Sequence, residues 1–368
     1  MKIGILTLPP DLNYGGILQA WALKTVLNRM GHDVEVFKPE PLKGRPAYQM
    51  PLVWGFRLVN KLLRHSTTPI FAEKHSRIES KRRFGAIRKF ITDNLPLRII
   101  PQITNLPYSD YDGIVVGSDQ IWRKIYIEEL WRTKTLSNVF LKQVPSSIRK
   151  IAYAASFGVD KWQFNPETTS DISVALNDFK AVSVREKSAV NLLKDNAEID
   201  VEFVLDPTML LEAKDYLHEL NLSISDKPSG VVSYILDANS ATEDLINQLT
   251  TSTGLTHTEL NNTNPSEAKR SIEEWLSGIA SASIVVTDSF HGCVFSIIFR
   301  KPLLFLGNEH RGNTRFDSLI STFGLHPNLI NRENPYDPSK SYSLPADIDE
   351  KLQILRNSST SFLLKSLQ

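Results

Sequence analysis

One histidine lies where an α/β sheet would place chemistry. The hexapeptide Thr287-Asp288-Ser289-Phe290-His291-Gly292 follows the apolar run Ala282 to Val286 and precedes a second one, Cys293 to Phe299. This pattern reads as strand, polar elbow and buried helix. His291 then stands at a strand's carboxyl end and a helix N-terminus, where free N–H groups attract anions and ligands collect. An imidazole whose ordinary pKa is about 6.5 can give or take a proton near neutrality. The alternative is a satisfied core histidine.

Other strand ends carry further candidates. Gly117-Ser118-Asp119-Gln120-Ile121-Trp122 gathers a carboxylate, an amide and an indole, a mixture that could bind and deprotonate a sugar. Its bland reading is an N-capping Asp119 before a core Trp122. Arg185 ends the apolar run Val182-Ser183-Val184, and its planar fork suits a carboxylate or phosphate, or else a structural ion pair with Glu186 or another acid. Asn13-Tyr14-Gly15-Gly16 opens a helix after the first strand, so its N–H groups could face a phosphate or a sugar hydroxyl. It lacks the full G-x-G-x-x-G spacing, and two glycines that merely allow a tight turn would look the same. Arg311 and Arg315 follow the run Leu303 to Leu306. Arg315 is the better candidate to join His291, because Asn313 and Thr314 suit a turn and cap before a helix. No metal site is expected: the eight histidines are scattered, no HExxH occurs and there is one cysteine. A P-loop and a G-x-S-x-G elbow are absent too.

The elements that must position these residues alternate. Ile3 to Leu8, a helical pattern from Gly15 to Met30 and a strand at Asp33 to Phe37 form a βαβ unit, which predicts a parallel sheet with helices on its faces. Strand-like runs recur at Gly113–Val116, Ile151–Ala155, Ala181–Val184 and Phe203–Leu205. The alternation repeats at Val231–Leu236, Ser283–Val286 and Leu303–Leu306. Asp206-Pro207-Thr208, with a capping residue before a proline, marks the expected boundary. The expected fold is therefore α/β: two Rossmann-like, doubly wound domains, 1–206 and 207–345, facing a central cleft, with a helix at 346–368 packing back across both. Lys38 to Pro69 allows no assignment. A basic helix follows, roughly Phe71 to Asn94. It is either a solvated face or a surface for an anionic carrier, such as a nucleotide or lipid diphosphate, or for a membrane.

The chain of 368 residues exceeds one ordinary core. Its net charge of +1 provides no whole-protein field for nucleic acid or an anionic membrane, so any anion needs local cations. Cys293, inside an apolar run, reads as a core residue and fits a reducing compartment. The start of the chain lacks a signal peptide's apolar region, and no apolar stretch reaches about 20 residues. A cytoplasmic protein is expected, at the inner face of the membrane if the basic helix binds there.

Taken together, the ordered motifs Asn13-Tyr14-Gly15-Gly16 with Leu18-Gln19-Ala20, Gly117 to Trp122, Tyr153 to Gly158, Ser183 to Glu186, Leu205 to Thr208 and Asp288 to Gly292 resemble the polysaccharide pyruvyl transferase family. The resemblance implies transfer of a pyruvyl group from phosphoenolpyruvate, a co-substrate and not a cofactor, onto two hydroxyls of a sugar. A cyclic ketal and phosphate result, in cell-surface or exopolysaccharide synthesis. It maps the phosphoenolpyruvate ligands onto Arg185 and His291, to which Ser289, Gly292 and Arg315 are added. Asp119 is the candidate base and His291 the candidate acid. Asn13, Tyr14, Gly15, Gly16, Gln19, Asp119, Gln120 and Trp122 are the candidates for a lipid-linked or nucleotide-linked sugar acceptor. The first domain would then hold the acceptor and the second the donor, with acceptor choice in Lys38 to Pro107. A glycosyltransferase of the same two-lobed fold, using a nucleotide sugar, is the alternative enzyme. A carbohydrate-binding protein without turnover is the non-enzymatic one.

Overall fold

The computed structural model describes residues 1–41, 46–64, 71–224, 229–307 and 314–368. Seven parallel strands form the first sheet: β1 (Lys2–Leu6), β2 (Asp33–Pro39), β3 (Leu97–Ile100), β4 (Gly113–Val116), β5 (Arg149–Ala155), β6 (Ala181–Val184) and β7 (Glu202–Phe203), in the order β3-β2-β1-β4-β5-β6-β7. Five more form the second: β8 (Val231–Tyr234), β9 (His257–Glu259), β10 (Ile284–Thr287), β11 (Leu303–Leu306) and β12 (Leu329–Ile330), in the order β12-β11-β10-β8-β9 and again parallel. Central strands such as β4, Gly-Ile-Val-Val, are buried throughout because helices cover both faces.

Each order reverses direction once, between β1 and β4 in the first sheet and between β8 and β10 in the second. In open parallel sheets such a reversal leaves a crevice at the strands' carboxyl ends. The two crevices face each other. A shared core closes the rest of the interface: Tyr14 stacks on Trp275 with ring centroids 5.3 Å apart, and its hydroxyl donates to the Arg270 carbonyl at 2.7 Å. Burial pushes the Tyr14 phenol well above its usual range, so it remains a neutral donor.

The helix Ile348–Leu367 ties both halves together. Ser359 Oγ accepts the Leu205 N–H at 3.0 Å, Phe362 packs on Tyr153, Arg149 donates to the Leu367 carbonyl, and Asp349 pairs with Arg300. Cys293 is buried among apolar neighbours, and burial raises its thiol.

Several expectations shift. The Phe203–Leu205 run is strand only to Phe203: the Val204 N–H still reaches the Val184 carbonyl, and the Leu205 N–H turns to Ser359. The Val231–Leu236 run ends at Tyr234, because the N–H groups of Leu236 and Asp237 turn to the Asp288 carboxylate. Strands β3, β9 and β12 lacked an apolar run, being short, half-exposed edge or near-edge strands. Within the unassigned segment the chain forms the helix Met50–Arg64, beside the basic helix Ala72–Asn94. Among the described residues no helix is long and apolar enough to cross a membrane.

Candidate functional site

A cavity of about 650 Å³ opens between the two crevices. Its walls are the loops after the four strands that flank the reversals: Leu8, Asn13 and Gly16 after β1, Asp119 and Gln120 after β4, Leu236 and Asp237 after β8, and Asp288 to His291 after β10. The volume lies within the range of small-molecule sites.

Two helices begin at this cavity, and each starts the same way. Asn13 Oδ1 accepts the Gly16 N–H at 3.1 Å, and Ser289 Oγ accepts the Gly292 N–H at 3.4 Å. These are N-caps at Tyr14–Arg29 and Phe290–Ile298, both aiming the positive ends of helix dipoles at the same space. The second elbow is pinned further. Asp288 accepts the Leu236 and Asp237 N–H groups at 2.7 and 2.9 Å, while Thr287 Oγ1 accepts from Ser289 N and donates to the Tyr234 carbonyl.

His291 is buried, and its ring fills the space over Gly15. A Cβ on Gly15 would fall 1.9 Å from His291 Nδ1, so only glycine admits the imidazole there. His291 Nε2 lies 3.7 Å from Asp206 Oδ2, beyond hydrogen-bond reach but within ion-pair range once the ring is protonated.

Asp206 organises the charge behind the histidine. Its Oδ1 accepts from Thr208 N at 3.0 Å and from Thr208 Oγ1 at 2.6 Å, while Oδ2 takes Arg185 Nη1 at 2.6 Å. Burial would raise its pKa, yet the neighbouring His291 and Arg185 hold the carboxyl well below the usual range. Arg185 also reaches Asp119 Oδ1 at 3.2 Å and lies 3.6 Å from Glu186. Although burial opposes its charge, these carboxylates keep Arg185 firmly protonated. Glu186 moves the other way: burial raises its pKa despite Arg185 and a hydrogen bond from Ser156. Arg315, buried on the cavity wall, has its pKa pushed down to about 10 by burial and the like charge of Arg185. Both guanidiniums lie over the Phe290 ring, Arg185 at 4.7 Å and Arg315 at 5.7 Å, which holds two cations near one site.

The structure thus divides the sequence candidates. Asn13, Gly16, Asp119, Gln120, Ser289, His291 and Arg315 line the cavity. Arg185 lies behind it, in a narrower crevice with Asp206 and Phe290, and its guanidinium is engaged by acids. Four acceptor candidates and Gly292 are placed otherwise. Trp122 is fully buried, stacked on Phe140, and cannot offer its ring to a sugar in this arrangement. Gln19 spends its amide on Thr7, the Gly16 carbonyl and the Ser118 N–H. Tyr14 is a core residue, and Gly15 makes room for His291. Gly292 packs against Thr287, where a Cβ would come within 2.3 Å of Oγ1. Arg311 lies outside the described residues.

Asp206 went unrecognised as a site residue. It stood in one of the resembling motifs, Leu205 to Thr208, but an acid before Pro207 and Thr208 reads as an N-cap, which it also is. Asp119 adopts a left-handed backbone, φ 57°, which asparagine and aspartate tolerate better than most residues. This turn sends Oδ1 to Arg185 and leaves Oδ2 toward Gly16 on the cavity wall. Among the described residues no three His, Cys, Asp or Glu side chains converge as metal ligands.

The model of the family described as polysaccharide pyruvyl transferase matches residues 13–310. No curated protein matches the chain in sequence. Among solved structures, the UDP-GlcNAc 2-epimerase from Neisseria meningitidis bound to UDP-GlcNAc is similar in fold, with a TM-score of 0.50 and 10% identity over 100% of this chain and 99% of that one. The Methanocaldococcus jannaschii UDP-GlcNAc 2-epimerase in complex with UDP-GlcNAc and UDP gives a TM-score of 0.44 and 14% identity over 100% and 99%. The likeness is one of fold, two Rossmann-like units in a GT-B-like arrangement.

Proposed function

Given that this chain belongs to the polysaccharide pyruvyl transferase family, we propose that its cavity takes phosphoenolpyruvate on the β10 side and a sugar diol on the β1 and β4 side. One observation carries this reading: His291 and Arg315 share the cavity wall with Asp119, so a proton donor, a cation and a carboxylate surround one space. Phosphoenolpyruvate brings a carboxylate and a phosphate, which call for cations and preorganised N–H donors. Arg315 and the amides of the Ser289 elbow supply these. Arg185, bound by three acids, sets the charge balance and stands ready to exchange a carboxylate partner for the ligand.

His291, with Nε2 3.7 Å from Asp206 Oδ2, delivers a proton to the methylene carbon of the enol, and the adjoining carbon becomes electrophilic. A sugar hydroxyl adds to that carbon and yields its proton to Asp119 Oδ2. The carbon–oxygen bond to phosphate breaks, phosphate departs, and the second hydroxyl closes the ketal with loss of its own proton. The former methylene ends as a methyl group. Proton transfers of this kind are each typically worth about 10²–10⁴-fold.

The test is release of inorganic phosphate from phosphoenolpyruvate with a panel of lipid-linked and nucleotide-linked sugars, the product read by mass. Phosphate release with a pyruvate ketal is expected, and His291→Ala or Asp119→Ala should slow it at least about 100-fold. Release of a nucleoside diphosphate from a nucleotide sugar, with phosphoenolpyruvate untouched, would replace this reading with glycosyl transfer.

A further inference from the structure

We propose that the helix pair Met50–Arg64 and Ala72–Asn94 docks the protein on an anionic lipid bilayer, with the apolar stripe Leu52, Phe56 and Val59 entering the headgroup layer. These three residues are 79%, 67% and 50% exposed, and their spacing of four and three places them on one face of the helix. A different face holds the helix to the protein: Trp54 meets Phe71 edge-on at 5.0 Å, and Arg57 binds both oxygens of Glu73 at 2.7 Å. The outward stripe therefore has no role in fixing the helix to its neighbour.

Charge selects the occupant. The two helices carry ten Lys and Arg against three Asp and Glu, whereas the whole chain is only +1, so the remainder is net negative. Lys74, Arg77 and Lys81 are exposed, with Ile78, 57% exposed, among them. An apolar stripe beside a dense cationic surface is the signature of a helix lying in an anionic interface; nucleic acid would use the charge and leave the stripe in water.

The long helix also joins this surface to the cavity. Arg82 donates to the Pro265 and Ser266 carbonyls of the second unit, and Arg83 O accepts the Lys269 N–H at 2.8 Å. Lys38 donates to the Pro10 carbonyl at 2.8 Å, next in sequence to Asp11 on the cavity wall. A substrate whose carrier is anchored in the bilayer would meet the protein on that side.

Vesicle flotation with the full chain tests the docking without any turnover, so its outcome is separate from the donor chemistry. Binding to phosphatidylglycerol vesicles, weakened by salt, and none to phosphatidylcholine vesicles is expected. Leu52→Asp with Phe56→Asp should weaken binding at least about tenfold. Lys74→Gln, Arg77→Gln and Lys81→Gln together should weaken it by on the order of a hundredfold, about fivefold for each charge. Thermal melts establish that the variants fold, and Leu52→Ala with Phe56→Ala replaces any aspartate variant that does not. Absence of binding to phosphatidylglycerol overturns the proposal, as does unchanged binding by the stripe variants. A concentration-dependent dimer abolished by the stripe variants, without vesicle binding, would assign the stripe to a second copy of the chain.

Discussion

Asn13 and Ser289 hold equivalent places on opposite sides of the cavity. Each follows a strand at its sheet's reversal point, and each caps a helix through the N–H of the glycine three residues on. Past the cap the two elbows part. The first continues into Tyr14, which anchors the shared core, and Gly15, which contributes an absence. The second continues into Phe290, under two guanidiniums, and His291. The histidine's position is decided by the missing Cβ of the first elbow, and its electrostatics by Asp206, between the two sheets. The imidazole of one unit is thus surrounded by two residues that precede that unit's first strand, so neither half builds the cavity alone.

The comparison breaks most severely at Asp206. Asp206→Asn leaves the Arg185 cation buried without its shortest partner, and urea unfolding should show a loss of about 3–5 kcal/mol. Gly15→Ala forces the buried His291 ring aside, at a cost of about 1–3 kcal/mol in urea unfolding as for other overpacked sites. A fall in turnover of about 100-fold in the variant that remains folded is expected, and undiminished turnover would separate His291's placement from the first elbow. Asn13→Ala and Ser289→Ala test the likeness itself: each should cost about 1 kcal/mol of stability as a lost N-cap, and very unequal losses in denaturant midpoint would show that the elbows are not equivalent.

The smallest effect is a pH slope. Glu186 has a raised pKa in the fold, so the folded state binds its proton first and stability falls as pH rises through that folded value. Glu186→Gln should remove the gain in melting temperature on acidification that this proton contributes. Asp206 has the opposite sign. Its folded pKa is depressed, so its contribution is complete above the ordinary carboxylate range of about 4 and is lost only on stronger acidification.

The central strands were legible because burial on both faces writes them as apolar runs, as in β4 and β10. Their ends were not. β8 stops at Tyr234 and β7 at Phe203, and just beyond them side chains more than 50 residues away take the N–H groups of Leu236, Asp237 and Leu205; after β8 that side chain, Asp288, lies on the cavity wall. The helix Met50–Arg64 escaped for another reason: although its apolar residues recur at helical spacing, Pro46 and Pro51 punctuate the segment and read as a loop.

At the site, residue types and strand-end positions singled out His291, Asp119, Arg185 and Arg315 from local pattern alone. The same pattern proposed Trp122, and the family resemblance Gln19, whose side chains face the interior. The sequence by itself determined which strand ends carry polar side chains and helix caps, since apolar runs, capping residues and glycines are local features. Only the tertiary structure decided that Arg185 would spend its charge on Asp206 and Asp119 while Arg315 reached the cavity wall, and that Gly15 would shelter His291. Those outcomes depend on which distant strand ends meet across the cavity, and such a meeting is fixed by the packing of two sheets against a shared core.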